Sequence, residues 1–350
     1  MSYYITFIIL LIVFLTLSFS YRKAGNESFS SVCYLLCTFI AIIFSGFRYD
    51  AGNDYFTYHA MVEGNHPYSN IEIIPRLIVM LSSYLDAPWL FFFITSVLYI
   101  GSIAYFCKTK SLNPELSFLC FILMPLSFLT SFGYVRQYLG IGFFILSTSF
   151  LLDKRKFLAV FYFTLAILSH SSALMFLPIL LMFKFLRARI YPWWCYLIVS
   201  LFVFFSVEVI ISLLVEYVKY GQYFSDALKS TAGKKIGYIC LCFFILFFWS
   251  RKAAENEIEV LYFNIYFICT LIYLVLMSFG EYVVRISYYL FPASYVLFPM
   301  VCRSVKYRQV YLASYLLISI GLFCFVLTLY FAHSNLNRDF LLNYSFYFLK

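Results

Sequence analysis

The chain has 350 residues, of which 64% are hydrophobic, 23% are aromatic and only 12% are charged. A soluble domain contains about 45–50% apolar and about 25% charged residues, so this composition excludes the soluble enzyme classes and indicates an all-α polytopic membrane protein. The net charge of +9 does not indicate a nucleic-acid partner, because an excess of Lys and Arg in cytoplasmic loops accounts for it.

Apolar runs between polar breaks predict about 12 transmembrane helices, since one span needs about 20 apolar residues. The first run has no basic segment before it and no small-residue cleavage site, so we predict an uncleaved helix rather than a signal peptide. Neither an internal repeat nor a soluble domain is visible, and we predict one integrated transmembrane domain, 1–350. The predicted spans are residues 3–21, 29–47, 88–106, 116–131, 137–152, 157–170, 171–186, 193–214, 236–250, 259–279, 286–302 and 309–331.

The distribution of basic residues predicts the orientation of these spans. Fifteen of the 25 Lys and Arg residues fall in short loops on one side, accompanied by only six acidic residues. The opposite side carries ten basic and ten acidic residues. By the positive-inside rule the first side is cytoplasmic, and both termini lie outside.

Three predicted outer segments are longer than simple connections, namely 48–87, 216–235 and the tail 333–350. The first contains an aromatic amphipathic stretch and then an apolar piece, IEIIPRLIVMLSSYL, interrupted by Pro75 and Arg76. That piece is too short to span, so we predict a short helix that lies in the interface or dips partway into it.

The ten cysteines lie almost all within apolar runs, without a CxxC pair and without a histidine at zinc-ligand spacing. They are expected to be small packing residues with reduced thiols. We therefore predict neither a metal centre nor a cofactor.

Charged and aromatic residues are dense in the segment 45–59, SGFRYDAGNDYFTYH, where the second predicted span ends. If the chain is helical after the glycine, Asp50, Asp54 and Tyr58 share one face, because they are spaced by four residues. Arg48 is the nearest cation. The group is either a solvated Asp–Arg cluster at a helix start, or a carboxylate that acts as general base beside an anion-binding guanidinium.

Two further sites carry isolated polar residues at the predicted outer face. Arg136 and Gln137 lie in SFGYVRQYLGIG, where the arginine either reaches the headgroups or faces a ligand in a neighbourhood kept small by glycines. His170 lies in ILSHSSALMFLP and either caps a helix junction beside its serines, or transfers protons or donates to a phosphate or sugar hydroxyl.

Arg285 and Tyr288 lie in SFGEYVVRISYYLFP, near the end of the chain. Glu281 precedes Arg285 by four residues, so these two either form an ion pair or leave Arg285 to bind an anion beside tyrosines that can stack on sugar rings. With Arg48 and Arg136, Arg285 falls at the predicted outer face. Several arginines there suit an anionic ligand with a lipid portion, above all a lipid-linked diphosphate.

Taken in order, these motifs resemble those of the EpsG/Wzy-type family of bacterial polysaccharide polymerases. Each motif is weak alone, and the ordered set with matching topology is more specific. The similarity runs from about residue 44 to residue 291. The elements that carry it are Arg48-x-x-x-Gly52-x-Asp54-x-x-x-Tyr58, Val135-Arg136-Gln137, His170-Ser-Ser172-Ala173 before Pro178, and Arg285-x-x-Tyr288-Tyr289.

The resemblance implies a glycosyltransferase of the bacterial inner membrane with both termini in the periplasm. Such a polymerase joins undecaprenyl-diphosphate-linked oligosaccharide units at the periplasmic face, making O-antigen, capsule or exopolysaccharide. Its partners would be that substrate, membrane lipid and a chain-length regulator, with no nucleic acid and no cofactor.

The resemblance also suggests roles for the polar residues. Asp54 is the first choice for the base or acceptor-orienting group, and His170 is the second. The predicted substrate-binding residues are Arg48, Asp50, Tyr58, Arg136, Gln137, Arg285 and Tyr288.

Two other classes remain open. A flippase for the same lipid-linked oligosaccharide predicts a charged central cavity and internal repeats, which the spans lack. A related transferase, such as an O-antigen ligase or a sugar O-acyltransferase, is the other. An acyltransferase would place its essential groups on the cytoplasmic side, where the loops are short and basic.

Overall fold

The computed structural model describes residues 2–217, 232–305, 309–332 and 340–349, and the chain there is almost entirely helical. The first helices are α1 (Ser2–Lys23), α2 (Glu27–Gly46), α3 (Tyr55–Val62), α4 (Ile73–Tyr84), α5 (Pro88–Lys110), α6 (Pro114–Leu123), α7 (Val135–Leu152) and α8 (Lys156–Ser169). The later helices are α9 (Leu177–Leu181), α10 (Phe183–Ala188), α11 (Trp193–Tyr217), α12 (Ala232–Ser250), α13 (Glu257–Leu276), α14 (Glu281–Val284), α15 (Ala293–Ser304) and α16 (Val310–Ala332). Two short strands, β1 (Arg48–Tyr49) and β2 (Ser345–Phe346), pair antiparallel.

Seven helical segments in the described part of the chain are long and apolar enough to cross a membrane, which confirms an all-α polytopic membrane protein. They are α1, α2, α5, α7, α13, α16 and Lys234–Ala253, which overlaps α12. The predicted count of twelve is not reached on this criterion. Of the other five predicted spans, 193–214 coincides with α11, whose side chains are described only as far as Ser206. The remaining four coincide with shorter helices or, after α8, with a 3₁₀ segment followed by α9 and α10.

Asparagine side chains define the start of several of these helices. Asn26 accepts a hydrogen bond from the Phe29 amide at the start of α2, and Asn113 accepts one from Leu116 at the start of α6. An N-terminal cap of this kind stabilises a helix by about 1 kcal/mol. Helix boundaries are thus encoded locally, next to the apolar runs.

The contacts divide the chain into two compact units, Met1–Phe176 with Tyr311–Lys350, and Leu177–Val310. Each is described by itself below, and a single integrated domain stays a prediction. Unit 1 contains α1 to α8 and α16, and unit 2 contains α9 to α15. The predicted outer segment 216–235 lies mostly outside the described residues, as does the start of the tail 333–350.

The two ends of unit 1 are chemically different. At one end Arg22 of α1 forms an ion pair with Glu115 of α6 at 2.7 Å, and Lys110 of α5 pairs with Asp153 after α7. All four residues belong to loops predicted to share the basic side. At the other end the Tyr4 hydroxyl donates to the carbonyl of Leu341 at 2.6 Å, so both chain termini lie together.

The C-terminal segment packs against the loop 48–87 of unit 1, which is predicted to lie on the outer side. Tyr344 stacks on Phe44 with ring centroids 4.2 Å apart, and its hydroxyl donates to the Phe44 carbonyl at 2.8 Å. Strand β2 pairs with β1 directly beyond this contact. The amide of Tyr347 adds a hydrogen bond to the Phe47 carbonyl at 2.8 Å. The tail is therefore part of the loop's structure.

Helix α4 has the length and polarity of an interfacial helix. Its 12 residues bury Ile78, Val79 and Ser82 and expose Ile73 and Leu77. Twelve residues cover only about 18 Å, which is too short for the hydrocarbon core of a bilayer. A short helix is thus present at the predicted position between α3 and α5, and its placement in the membrane interface stays a prediction.

Unit 2 is assembled around α13, which packs against α10, α12 and α15. Within it the Asn264 side chain donates to the Leu186 carbonyl at 2.7 Å and accepts from the Tyr196 hydroxyl at 2.7 Å. Arg303 of α15 pairs with the buried Glu259 at 2.8 Å. Buried polar groups are costly unless hydrogen-bonded, so these pairs fix the positions of the helices around α13.

Candidate functional site

Three residues from distant parts of the chain meet through the carboxylate of Glu72 in unit 1. Nη1 of Arg136 lies 2.7 Å from Oε2 of Glu72, and Nδ1 of His170 lies 2.9 Å from Oε1. The amide of Ser171 also donates to Oε1, at 3.3 Å. The two isolated polar residues that the sequence places at the outer face therefore share one acid.

Each of these side chains is placed by the start or end of a helix. Glu72 immediately precedes α4 with an extended backbone, and Arg136 occupies the first turn of α7. His170 follows the last residue of α8, and a 3₁₀ segment begins at Ser171. Helix ends leave backbone groups available, which is why the Ser171 amide can contribute to the same site.

The three side chains are enclosed without being sealed. The side chains of Glu72, Arg136 and His170 are 18%, 32% and 27% exposed. Burial alone would raise the pKa of Glu72, but the hydrogen bond with His170 and the charge of Arg136 outweigh burial and hold the pKa at about 2. Glu72 is therefore ionised at neutral pH.

Asp54 lies next to this group, at the start of α7. Its Oδ2 accepts a hydrogen bond from the Val135 amide at 3.1 Å, so its carboxylate meets the positive end of the helix that carries Arg136. Gly52 makes this approach possible, because its φ is +100° and a Cβ there would lie 2.1 Å from the carbonyl oxygen of Phe132.

Tyr58 of α3 is buried close to Arg136. Burial raises the pKa of Tyr58, and the charge of Asp54 raises it further. Tyr58 is therefore a neutral hydroxyl close to the guanidinium. Helix α3 begins at Tyr55, after Asp54, so only Tyr58 of the three residues expected to share a helical face lies on the helix.

Arg48 is 2% exposed, and its guanidinium is used within the protein. It donates to the carbonyls of Ser45 and Ala51 at 2.6 and 3.1 Å. The rings of Phe92 and Phe132 lie on the guanidinium at 4.5 and 4.7 Å. Burial lowers the pKa of Arg48 to about 10, so it stays charged at neutral pH. In this arrangement Arg48 shapes the loop that carries Asp54.

The remaining predicted residues occupy different surroundings. Asp50 has a left-handed backbone, with φ of 54°, and accepts a hydrogen bond from the Asn343 side chain at 3.3 Å. Gln137 is buried in α7, one residue beyond Arg136. Arg285 and Tyr288 lie in a 3₁₀ segment of unit 2, where Arg285 is half-buried and Tyr288 is buried. The side chain of Glu281, the predicted ion-pair partner of Arg285, lies outside the described part of the chain.

Glu72 is the site residue that sequence reasoning did not single out. Its signal was present, because it is one acid at the start of an otherwise apolar segment, in a chain with isolated cations at the same face. A partly buried arginine needs a counter-charge, and a search for one would have reached Glu72.

Comparison with known proteins gives one match. The model of a protein family, described as the EpsG family, matches residues 31–346. No curated protein matches the chain, and neither does any solved structure. The match includes Arg48, Asp54, Glu72, Arg136 and His170 within its range.

Proposed function

The chain belongs to the EpsG family, a Wzy-type polymerase-like family, and we propose that it is a membrane glycosyltransferase that polymerises lipid-linked oligosaccharides. The substrates are undecaprenyl-diphosphate-linked repeat units, and polymerisation takes place at the periplasmic face of the bacterial inner membrane. The observation that carries this proposal is the group formed by Glu72, Arg136 and His170. It combines an anion-binding cation with a proton acceptor at one enclosed yet accessible place.

The orientation of the chain is part of the proposal. In unit 1 the paired basic residues Arg22 and Lys110 mark one end, and both termini lie at the other end beside the loop 48–87. By the positive-inside rule the basic end is cytoplasmic. The group around Glu72 and both termini are then periplasmic, as expected for an enzyme that uses exported lipid-linked sugars. Twelve membrane spans are part of the proposed topology.

The reaction is a displacement at the anomeric carbon of the growing chain. The oxygen of an acceptor hydroxyl forms the new bond to that carbon, and the bond from the carbon to the diphosphate oxygen breaks. The electron pair of that bond leaves with the lipid diphosphate, and the hydroxyl proton passes to a base of the protein. Negative charge therefore grows on the diphosphate in the transition state.

Arg136 has the properties needed to stabilise that charge. A guanidinium carries five N–H donors and stays protonated, so the contact with Glu72 leaves further donors for phosphate oxygens. Glu72 holds the guanidinium before substrate arrives, through the 2.7 Å contact with its Oε2. A cation fixed in advance stabilises the transition state without the cost of reorganising itself.

Two residues are proposed to act on the acceptor hydroxyl, one by orienting it and one by accepting its proton. Contacts at the start of α7 support Asp54 in orienting Arg136 and the acceptor, since its carboxylate hydrogen-bonds the helix amide. His170 is better placed to accept the proton, because it is 27% exposed and bonded through Nδ1 only among the described residues. An imidazole nitrogen can accept a proton from a hydroxyl within hydrogen-bonding distance, which suits a general base.

The other predicted substrate contacts keep their roles as proposals, and Arg48 has a more limited one. Asp50 lies in the same loop as Asp54. Gln137 follows Arg136 in α7. Arg285 and Tyr288 are proposed to bind donor phosphate or sugar from unit 2. Arg48 is proposed to act through the loop that it supports.

The first experiment is a surface-polysaccharide gel of cells lacking the gene, complemented at matched expression with wild type, Arg136→Ala, Arg136→Lys or Arg155→Ala. Arg155 is the matched control, since it is an exposed arginine at the opposite end of α8 from His170. We expect the deletion to leave single repeat units and lose the ladder of longer chains. Wild type and Arg155→Ala should restore the ladder, and both Arg136 variants should fail.

Other gel patterns would contradict the proposal. Loss of the single-unit band as well would place the defect in export or ligation, and would favour the flippase or ligase classes. A full ladder from Arg136→Ala would remove Arg136 from the site.

A further inference from the structure

Within the described part of the chain, His170 is hydrogen-bonded at only one of its two ring nitrogens, and its partner there is Glu72. We infer that Glu72 is a positioning residue, which keeps His170 protonated on Nδ1 so that Nε2 is the proton acceptor. This inference rests on the proposed function for its chemical purpose. Its structural content, the tautomer of His170, can be measured independently.

Because Glu72 is ionised, the direction of its hydrogen bond with His170 is fixed. The pKa of Glu72 is held at about 2, so the carboxylate is ionised at neutral pH and can only accept. Nδ1 of His170, 2.9 Å from Oε1, must then be the donor. A neutral imidazole with a proton on Nδ1 carries its lone pair on Nε2, which has no contact among the described residues.

Glu72 is itself held in place from several directions. Oε2 accepts from Arg136 at 2.7 Å, and Oε1 accepts from the Ser171 amide as well as from His170. The residue directly precedes α4, whose inner face is anchored by Ile78 and Val79. The carboxylate therefore presents one oxygen to the base and the other to the cation, and it sets the distance between them.

The other titratable groups around this pair come from two further helices and the residue before one of them. Arg136 belongs to α7, Tyr58 to α3, and Asp54 lies at the start of both helices. Tyr58 is neutral because burial raises its pKa, and Arg136 already contacts Glu72. Glu72 is thus the acid that contacts His170, and its charge also favours the imidazolium formed after proton transfer.

A different role for Glu72 makes opposite predictions. Its carboxylate, surrounded by N–H donors, could occupy the place of a substrate phosphate and be displaced when substrate binds. Removing its charge would then strengthen substrate binding. A positioning role predicts a slower chemical step with unchanged binding.

The direct test is ¹⁵N NMR of the full-length protein in lipid nanodiscs, labelled at its four histidines. His170→Gln identifies the His170 signals. In wild type we expect neutral His170 with a protonated Nδ1 and an unprotonated Nε2. In Glu72→Gln, which keeps the shape of the side chain, we expect a mixture of tautomers, because an amide can either donate or accept.

The control is Glu63→Gln. Glu63 also pairs with a histidine, His59, at 3.2 Å, but it is 44% exposed and lies away from the α7 contacts. This variant should leave the His170 signals unchanged. A wild-type His170 protonated on Nε2, or a Glu72→Gln spectrum identical to wild type, would overturn the inference.

The kinetic test uses a purified lipid-diphosphate-linked repeat unit and the same variants. We expect Glu72→Gln to lower kcat by roughly 10²-fold with KM unchanged, since general-base catalysis contributes about 10²–10⁴-fold. A fall in KM with no loss of kcat would overturn the inference in favour of a displaced carboxylate. If wild type forms no polymer at all, the proposed function fails, while the tautomer measurement still decides the role of Glu72.

Discussion

Arg48, the first residue of the loop 48–87, either supports the structure of that loop or contacts substrate. Replacing it with lysine distinguishes these two roles. Lysine keeps the charge, but it has one nitrogen and no planar face. We expect the lysine to donate to one of the carbonyls of Ser45 and Ala51. It loses the stacking of a planar guanidinium on the rings of Phe92 and Phe132. The variant therefore changes the contacts described here and little else.

The expected loss of stability follows from those contacts. A hydrogen bond from a charged donor is worth about 1.5–3 kcal/mol, and a desolvated cation–π contact is worth about 1–2 kcal/mol. One lost hydrogen bond and weakened stacking give about 2–4 kcal/mol. For a protein of this size we expect the melting temperature to fall by about 5 °C or more.

The assay is thermal unfolding of purified protein in detergent, with donor binding measured well below the melting temperature. Arg155→Lys is the control, since Arg155 is exposed and an exposed substitution changes stability by about 0.5 kcal/mol or less. We expect Arg48→Lys to bind the lipid-diphosphate donor as wild type does. Unchanged stability with weakened donor binding would refute the structural role and return Arg48 to the substrate contacts predicted from the sequence.

Three further outcomes follow from the structure. Asp54→Asn keeps an acceptor for the Val135 amide, so its melting temperature should match that of wild type. Asp54→Ala loses this acceptor and should be less stable by about 1 kcal/mol. Full polymerisation by a stable Asp54→Asn variant would exclude Asp54 as the base. The pKa of Glu72 lies near 2 instead of its usual 4.5, so its ionised form stabilises the fold above pH 4.5 and that contribution is lost as the pH falls through 2. Thermal unfolding across this range should show a weaker acid dependence in Glu72→Gln, and equal slopes would contradict the assignment. Gly142→Leu should reduce the folded yield much more than Gly142→Ala, because a Cβ at this position of α7 would already lie 3.3 Å from the Tyr99 Cα of α5. Equal yields would show that α5 and α7 separate easily.

Much of the membrane architecture was predictable, because it depends on local composition. Seven predicted spans match apolar helices, since an apolar run of sufficient length satisfies its own backbone hydrogen bonds in lipid. A short helix at α4 was predictable from the limited length of its apolar segment. Spans that include 3₁₀ segments or very short helices, as after His170, were not, because packing decides where such helices break.

The site was predictable only in part. Arg136 and His170 were found from the sequence because an isolated polar residue in an apolar run is unusual wherever the chain folds. The expected shared face of Asp50, Asp54 and Tyr58 depended on a continuous helix. The left-handed backbone at Asp50 and Gly52 delays the start of α3 to Tyr55, and the cause of that turn is the close approach to Phe132.

The sequence by itself determined that the chain is a helical membrane protein of a polymerase-like family, which residues are isolated polar groups, and which loops carry the basic residues. Only the tertiary structure decided which of these groups meet. Glu72 is 64 residues from Arg136 and 98 from His170 along the chain, so no local spacing relates them. Their contact depends on the packing of α4, α7 and α8. Arg48 is likewise enclosed by residues distant in the sequence, since its guanidinium lies on the rings of Phe92 in α5 and Phe132 before α7.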